Sequence, residues 1–253
     1  MKFVTPKNIF TSLLLTSLYN EIKLDVQFKE ASLISTELES NIDLLGIIPS
    51  CDLIKHQEFF VSRKIALSFD GILSNAYFYF THNQNKFTDL YLSGDVTSNE
   101  IILSKILFKE RYSSEIQLHL GTEKINKDEK NYLVVGDKNL SGGLYSGGLS
   151  YSDELSTMIF LPYVNFVIAS KSKEMVERFN SVVKNNIDED IENNLKDYLG
   201  KSNMEVDIQN FVSDNFNSVY YEMTESEKEG LLELLQLPYF HGIYDDIFEI
   251  KFV

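Results

Sequence analysis

The chain has one cysteine, three arginines, four histidines and no apolar run long enough to cross a bilayer. Each shortage excludes something. Cys51 alone cannot form an internal disulfide, which fits a reducing compartment, and its place after Pro49-Ser50 in an apolar neighbourhood marks a buried, inert thiol. With Arg63, Arg111 and Arg178 as the whole arginine complement and a net charge of -15, the surface lacks the basic character that nucleic acid or an anionic membrane demands. His56, His82, His119 and His241 have no paired spacing, so neither a metal site nor a histidine-based triad is expected. No stretch approaches the roughly 20 apolar residues of a membrane span. The apolar segment 9–18 contains hydroxyl residues and runs into Asn20-Glu21, the pattern of a first helix rather than a signal peptide, so the expected location is the cytoplasm.

What is present is a chain of 253 residues, 43% hydrophobic and 13% aromatic, enough to bury one large core or two modest lobes. Short apolar runs alternate with helical patterns, the mark of α/β layers. Strands are predicted over residues 2–5, 24–28, 44–48, 65–69, 74–80, 89–92, 115–119, 132–135 and 163–169. Thr97-Ser98-Asn99-Glu100 has capping-box spacing ahead of Ile101, Ile102, Lys105 and Ile106. Thr224-Glu225-Ser226-Glu227 repeats the device ahead of Leu231, Leu232, Leu234 and Leu235. Val183, Ile187, Ile191, Leu195 and Leu199, spaced by four, predict an amphipathic surface helix. The glycine-rich stretch from Ser141 to Gly148 lacks phosphate-loop spacing and reads as a mobile loop at a cleft mouth. Extended crossings at 71–75 and 161–169 divide the chain into one lobe of 1–72 plus 168–253 and a second of 73–167, with a ligand cleft between them.

In so acidic a chain, the simplest way to hold an anion is a helix N-terminus with free amides and a hydroxyl. Ser50 opens a short helix after Pro49, and Thr97 with Ser98 opens a longer one; the same hydroxyls also serve as ordinary caps. Asn8 stands between the first strand and first helix, at the carboxyl edge where open α/β sheets bind ligands, and is equally a turn former. Asp137 follows a strand and a glycine, as either a catalytic carboxylate or a turn-stabilising one.

Read in order, the chain offers Asn8, then Asn41-Ile42-Asp43-Leu44-Leu45-Gly46-Ile47-Ile48-Pro49-Ser50, then Leu73-Ser74, then Asp95-Val96-Thr97-Ser98. Gly136-Asp137-Lys138-Asn139-Leu140, Leu161-Pro162-Tyr163-Val164 and Val219-Tyr220-Tyr221-Glu222-Met223 follow. This series resembles the menaquinone-biosynthesis chorismate dehydratase family over nearly the whole chain, and that family has the fold of two-lobed, type-2 periplasmic-binding-protein-like solute receptors. Its members carry Arg-Thr-Ser after the serine of the fourth motif, where this chain has Asn99-Glu100-Ile101, losing a cation and two hydroxyls.

The resemblance implies a lyase that dehydrates chorismate to 3-(1-carboxyvinyloxy)benzoate in the futalosine route, with no metal and no cofactor. Aromatisation drives such an elimination, so the protein has only to orient the substrate and stabilise developing charge. The resemblance assigns Asn8 to catalysis by orientation, Ser50 and Ser74 to one carboxylate, and Thr97 and Ser98 to the other, with Asn75 and Asp137 also among the substrate-binding residues. Without the family's arginine, either Lys7 or Lys138 supplies the missing charge or the hydroxyls and helix dipoles have to suffice. Two alternatives stand beside it: the sister enzyme 1,4-dihydroxy-6-naphthoate synthase, and a non-catalytic cytoplasmic protein that keeps the cleft and binds a small anion.

Overall fold

The computed structural model describes residues 1–82, 87–121, 125–126, 128–141 and 144–253. β1 (Lys2–Thr5), β2 (Asp25–Phe28) and β3 (Leu45–Pro49) run parallel, with Phe3 opposite both Val26 and Leu45, and α1 (Ile9–Tyr19) and α2 (Ala31–Ser40) make the crossovers. A 3-10 turn, Ser50–Ile54, leads into β4 (Phe60–Phe69). The chain then crosses through 70–75 and builds a second sheet from β5 (Ala76–Tyr79), β6 (Asp89–Gly94), β7 (Gln117–Leu120), β8 (Tyr132–Val135) and β9 (Leu149–Ser150) in the order β7-β6-β8-β5-β9. α3 (Ser98–Tyr112) joins β6 to β7, and α4 (Tyr151–Ile159) follows β9.

The return passes through Leu161-Pro162 into β10 (Tyr163–Ser170), which lies between β3 and β4 in the first sheet, antiparallel to both. All eight of its residues are buried, because both faces of this sheet are covered. Residues 163–167 therefore belong with the first sheet, whereas the sequence reading placed them in the second lobe. α5 (Lys173–Val182), α6 (Ile187–Lys201) and α7 (Val206–Asn215) come next. β11 (Val219–Glu222), α8 (Glu225–Phe240) and β12 (Lys251–Phe252) complete the chain, β11 and β12 both pairing with β4. Among the described residues no helix is long and apolar enough to cross a membrane.

Local sequence accounts for much of this. Along β5 and β8 the side chains alternate faces, so that Tyr77, Tyr79, Tyr132 and Val134 form one cluster while Phe78 and Leu133 enter the main core. Phe78 stacks on Phe80 with centroids 5.5 Å apart, and Phe87 and Phe108 pack edge-on or tilted against them, at 4.9 Å for Phe80–Phe87 and 6.1 Å for Phe80–Phe108. Ile187, Ile191, Leu195 and Leu199 form the buried stripe of α6. Val183, assigned to the same helix from spacing, lies ahead of it: Asn186 at φ 67 is the left-handed N-cap, and Val183 closes α5 instead.

The lobes are tied together at several points. α8 runs so close to the return crossing that a Cβ on Gly230 would lie 2.4 Å from the Pro162 carbonyl oxygen, which requires glycine there. At its far end His241 Nε2 is 3.1 Å from Glu110 Oε1 on α3. Of the glycine-rich stretch expected to be mobile, Gly142 and Gly143 lie outside the described residues; Leu144–Gly147 forms a 3-10 turn, and its Tyr145 stacks on Phe211 of α7 with centroids 4.3 Å apart.

Candidate functional site

The carboxyl ends of β1 and β2 face those of β6, β7 and β8 across a groove of about 640 Å³. Lys7, Glu30 and Ser32 line it from the first lobe, and residues 92–96, 120–121 and 135–138 from the second. Lys7 and Lys138, the two cations expected to replace the family's arginine, are both on its walls.

The amide ends of the first lobe are already occupied by side chains from the second. Ile9, the first residue of α1, donates its N–H to Asp137 Oδ1 at 3.0 Å. Ala31, the first residue of α2, donates to both carboxylate oxygens of Asp95 at 3.0 Å. Cys51, in the 3-10 turn, donates to Asn99 Oδ1 at 2.9 Å. α2 relies on this arrangement, because its own N-cap residue Glu30 makes no side-chain cap bond among the described residues.

Burial raises the Asp95 carboxyl above its usual range, the Ala31 amide opposing and the Glu30 charge reinforcing the rise. Burial raises Asp137 too, against the Ile9 amide and the Lys7 charge. Asp137 keeps an exposed face on the groove, and solvent screening limits that rise. Burial likewise pushes the Cys51 thiol well up, with Asp52 and Glu100 adding to it, as befits an inert residue.

Asn99 anchors a polar core between the lobes. It is fully buried; its Nδ2 donates to Asn165 O at 2.7 Å and Asn165 Oδ1 at 2.9 Å, and its own carbonyl accepts from the Tyr151 hydroxyl at 3.0 Å. Tyr163 donates to the same Asn165 Oδ1 at 3.0 Å. Next to it, Glu100 is buried as the reciprocal half of the capping box, taking hydrogen bonds from Thr97 N at 2.8 Å and Thr97 Oγ1 at 2.7 Å. Burial raises its pKa while those Thr97 bonds hold it down.

Of the residues predicted to form the site, Asp137 alone lines the groove. Asn8 caps its own helix, accepting from Thr11 N at 2.9 Å in a capping box. Ser50 is fully buried and donates to Val164 O at 2.5 Å. Ser74 pairs with the Ser152 hydroxyl at 2.7 Å and accepts from Ala76 N at 3.1 Å. Thr97 is committed to Glu100. Two atoms differ: Asn75 Oδ1 and Ser98 Oγ are buried without a hydrogen-bond partner among the described residues. The hydroxyls of Ser50, Ser74 and Thr97, expected to share one dianion, each have an internal partner in this structure.

Glu30, Asp95 and Asn99 were not singled out as site residues. The available signal was Gly-Asp occurring twice at strand ends, Gly94-Asp95 and Gly136-Asp137. Among the described residues one trio of side chains of metal-ligating type is also present: Glu39, His56 and Glu58 bring one ligand atom each within 4.8 Å of one another, and none of them lines the groove.

No family model and no curated protein matches the sequence. Solved structures do match the fold. Protein AF1704 from Archaeoglobus fulgidus aligns with TM-score 0.63 at 10% identity, over 96% of this chain and 98% of that one. The periplasmic aliphatic sulphonate-binding protein SsuA from Escherichia coli aligns with TM-score 0.64 at 10% identity, over 99% and 89%. The alkanesulfonate-binding protein SsuA from Xanthomonas axonopodis pv. citri, bound to MOPS, aligns with TM-score 0.57 at 11% identity, over 96% and 93%. At such identities the likeness speaks for architecture only: the chain has the two-lobed, periplasmic-binding-protein-like α/β fold.

Proposed function

We propose that this chain is a binding protein for a small anionic molecule, seated in the interlobe groove, and that it carries out no dehydration. The observation that carries this reading is the placement of the Asp95 and Asp137 carboxylates on the amide ends of α2 and α1, at the groove wall. Those ends accommodate negative oxygens, as helix N-termini do. Lys7 and Lys138 add positive charge beside them. Two of the proteins similar in fold are sulphonate- or alkanesulfonate-binding proteins, which is consistent with an anionic ligand.

Chorismate dehydration is the second reading. It is supported by the order of the motifs and by Asn75 Oδ1 and Ser98 Oγ, two polar atoms of its assigned residues without a partner among those described. It is weakened by Asn99, which fills the amide end that would take a substrate carboxylate, and by the commitment of Ser50, Ser74 and Thr97 to internal bonds. Titrating the purified protein calorimetrically with methanesulfonate, sulfate and chorismate, then following chorismate by ultraviolet absorbance, tests both. Binding of an anion without an aromatic product is expected; catalytic formation of that product would overturn the reading in favour of the lyase.

A further inference from the structure

This inference rests on the binding reading above and concerns what the groove admits. β6 and β8 are parallel neighbours with Gly94 opposite Val135, and each ends in the same device. Gly94 has φ +99, and a Cβ there would lie 1.9 Å from the Val135 carbonyl oxygen; Gly136 has φ +93. Both are left-handed turns that favour glycine, and each is followed at once by an aspartate directed at the opposite lobe. Asp95 meets Ala31 N, 64 residues away in sequence, and Asp137 meets Ile9 N, 128 residues away. Two carboxylates from adjacent strands thus cap two successive helices of the other lobe, through backbone that a side chain at the preceding position would strain.

We infer that Asp95 and Asp137 are built-in competitors for the groove's anion positions, so that an incoming anion is admitted only by displacing a carboxylate from a helix amide end. Each aspartate opposes the anion in two ways: it takes the N–H group an oxyanion needs, and its charge repels the ligand from the groove wall. The pair sets specificity as well as affinity. A monoanion with one strongly accepting head replaces a single carboxylate, whereas a dianion must displace both or face the one that stays.

The test uses the whole chain and methanesulfonate as the probe, by titration calorimetry at low ionic strength. Asp95→Asn and Asp137→Asn remove the charge but keep an acceptor for the helix N–H, so the fold is retained; Asp95→Ala and Asp137→Ala vacate the position. The expected affinity order is wild type weakest, Asn variants intermediate and Ala variants tightest, by roughly tenfold for each position vacated. Should the alanine variants fail to fold, the asparagine variants alone decide, because loss of the charge must already tighten binding. Wild-type binding that the variants leave equal or weaken overturns this inference and leaves the binding reading intact. No binding of methanesulfonate, sulfate or chorismate by the wild type or any variant overturns the binding reading, and this inference with it.

Discussion

Asn99 Oδ1 accepts the backbone N–H of Cys51 at 2.9 Å, across the two lobes and with both residues buried. The same side chain donates to Asn165 in the strand that returns to the first sheet. One asparagine in the first turn of α3 therefore satisfies the amide end of a turn in the other lobe. The resembling family has a cationic cluster at this point of its sequence. Here the position is a structural joint, and the lobes cannot part without exposing it.

Asn99→Ala is accordingly expected to be costly. It leaves the Cys51 N–H without its acceptor in a buried setting, at about 1–3 kcal/mol, and takes one of the two donors from Asn165 Oδ1, which keeps the Tyr163 hydroxyl. Urea denaturation should show a large drop in midpoint with an unchanged slope. A variant within about 0.5 kcal/mol of wild type would mean that water reaches the joint and that the lobes move apart readily.

The pH dependence of stability should run opposite to that of ordinary acid-labile proteins. Asp188, at the start of α6, is pushed up to about 6 mainly by burial; hydrogen bonds from the Tyr221 and Glu222 amides oppose the rise, and the Glu222 and Glu227 charges add to it. Burial also raises Asp70, Asp95 and Glu100. For a carboxyl raised in the folded state, the folded chain holds the proton more tightly than the unfolded one. Its contribution is full below the unfolded pKa of about 3.8 and is lost as pH rises through about 6. Unfolding free energy from urea melts is expected to fall mainly between about pH 4 and pH 6, from the unfolded pKa to the folded one. Asp188→Asn, which keeps an acceptor for the Tyr221 amide and removes the titrating group, should flatten the slope; a slope unchanged in this variant would remove Asp188 as its source.

How much of this was legible in the sequence depends on the range of the interaction that decides each feature. The capping boxes at Thr97 and Thr224 were legible because donor and acceptor lie three residues apart, and the structure forms both. β1 and β8 were legible as short apolar runs bounded by polar residues, and the structure places them at Lys2–Thr5 and Tyr132–Val135. The first half of β4 was not, because Ser62, Arg63 and Lys64 interrupt the apolar pattern that the strand continues through. The sheet that β10 joins was equally hidden, since its buried run reads the same in either lobe and only pairing with β3 and β4 assigns it. The site was less legible than the fold. Ser, Thr, Asn and Asp at a helix start are the residues of a ligand site and of a cap alike, and only the partner atom distinguishes the roles. For Asp95 and Asp137 that partner is many tens of residues distant.

Asn8 separates the two functional readings most directly. As the residue that orients chorismate in a lyase, it should abolish most turnover when changed to alanine. In the structure its Oδ1 accepts from Thr11 N at 2.9 Å, and the Thr11 hydroxyl oxygen accepts from the Asn8 backbone N–H at 3.2 Å. Loss of that capping box should cost about 1 kcal/mol of stability, most of it recovered in Asn8→Ser, which restores an N-cap acceptor. Ile9 keeps its bond to Asp137, so the anion position at the head of α1 survives the change. Methanesulfonate affinity in Asn8→Ala should therefore stay within about threefold of wild type while the thermal midpoint drops, and Asn8→Ser should match wild type in both, since a cap worth roughly 1 kcal/mol acts on stability and not on the groove. A loss of anion binding in Asn8→Ser, where the cap is intact, would instead make the Asn8 amide itself a ligand-contacting group and return weight to the dehydratase reading.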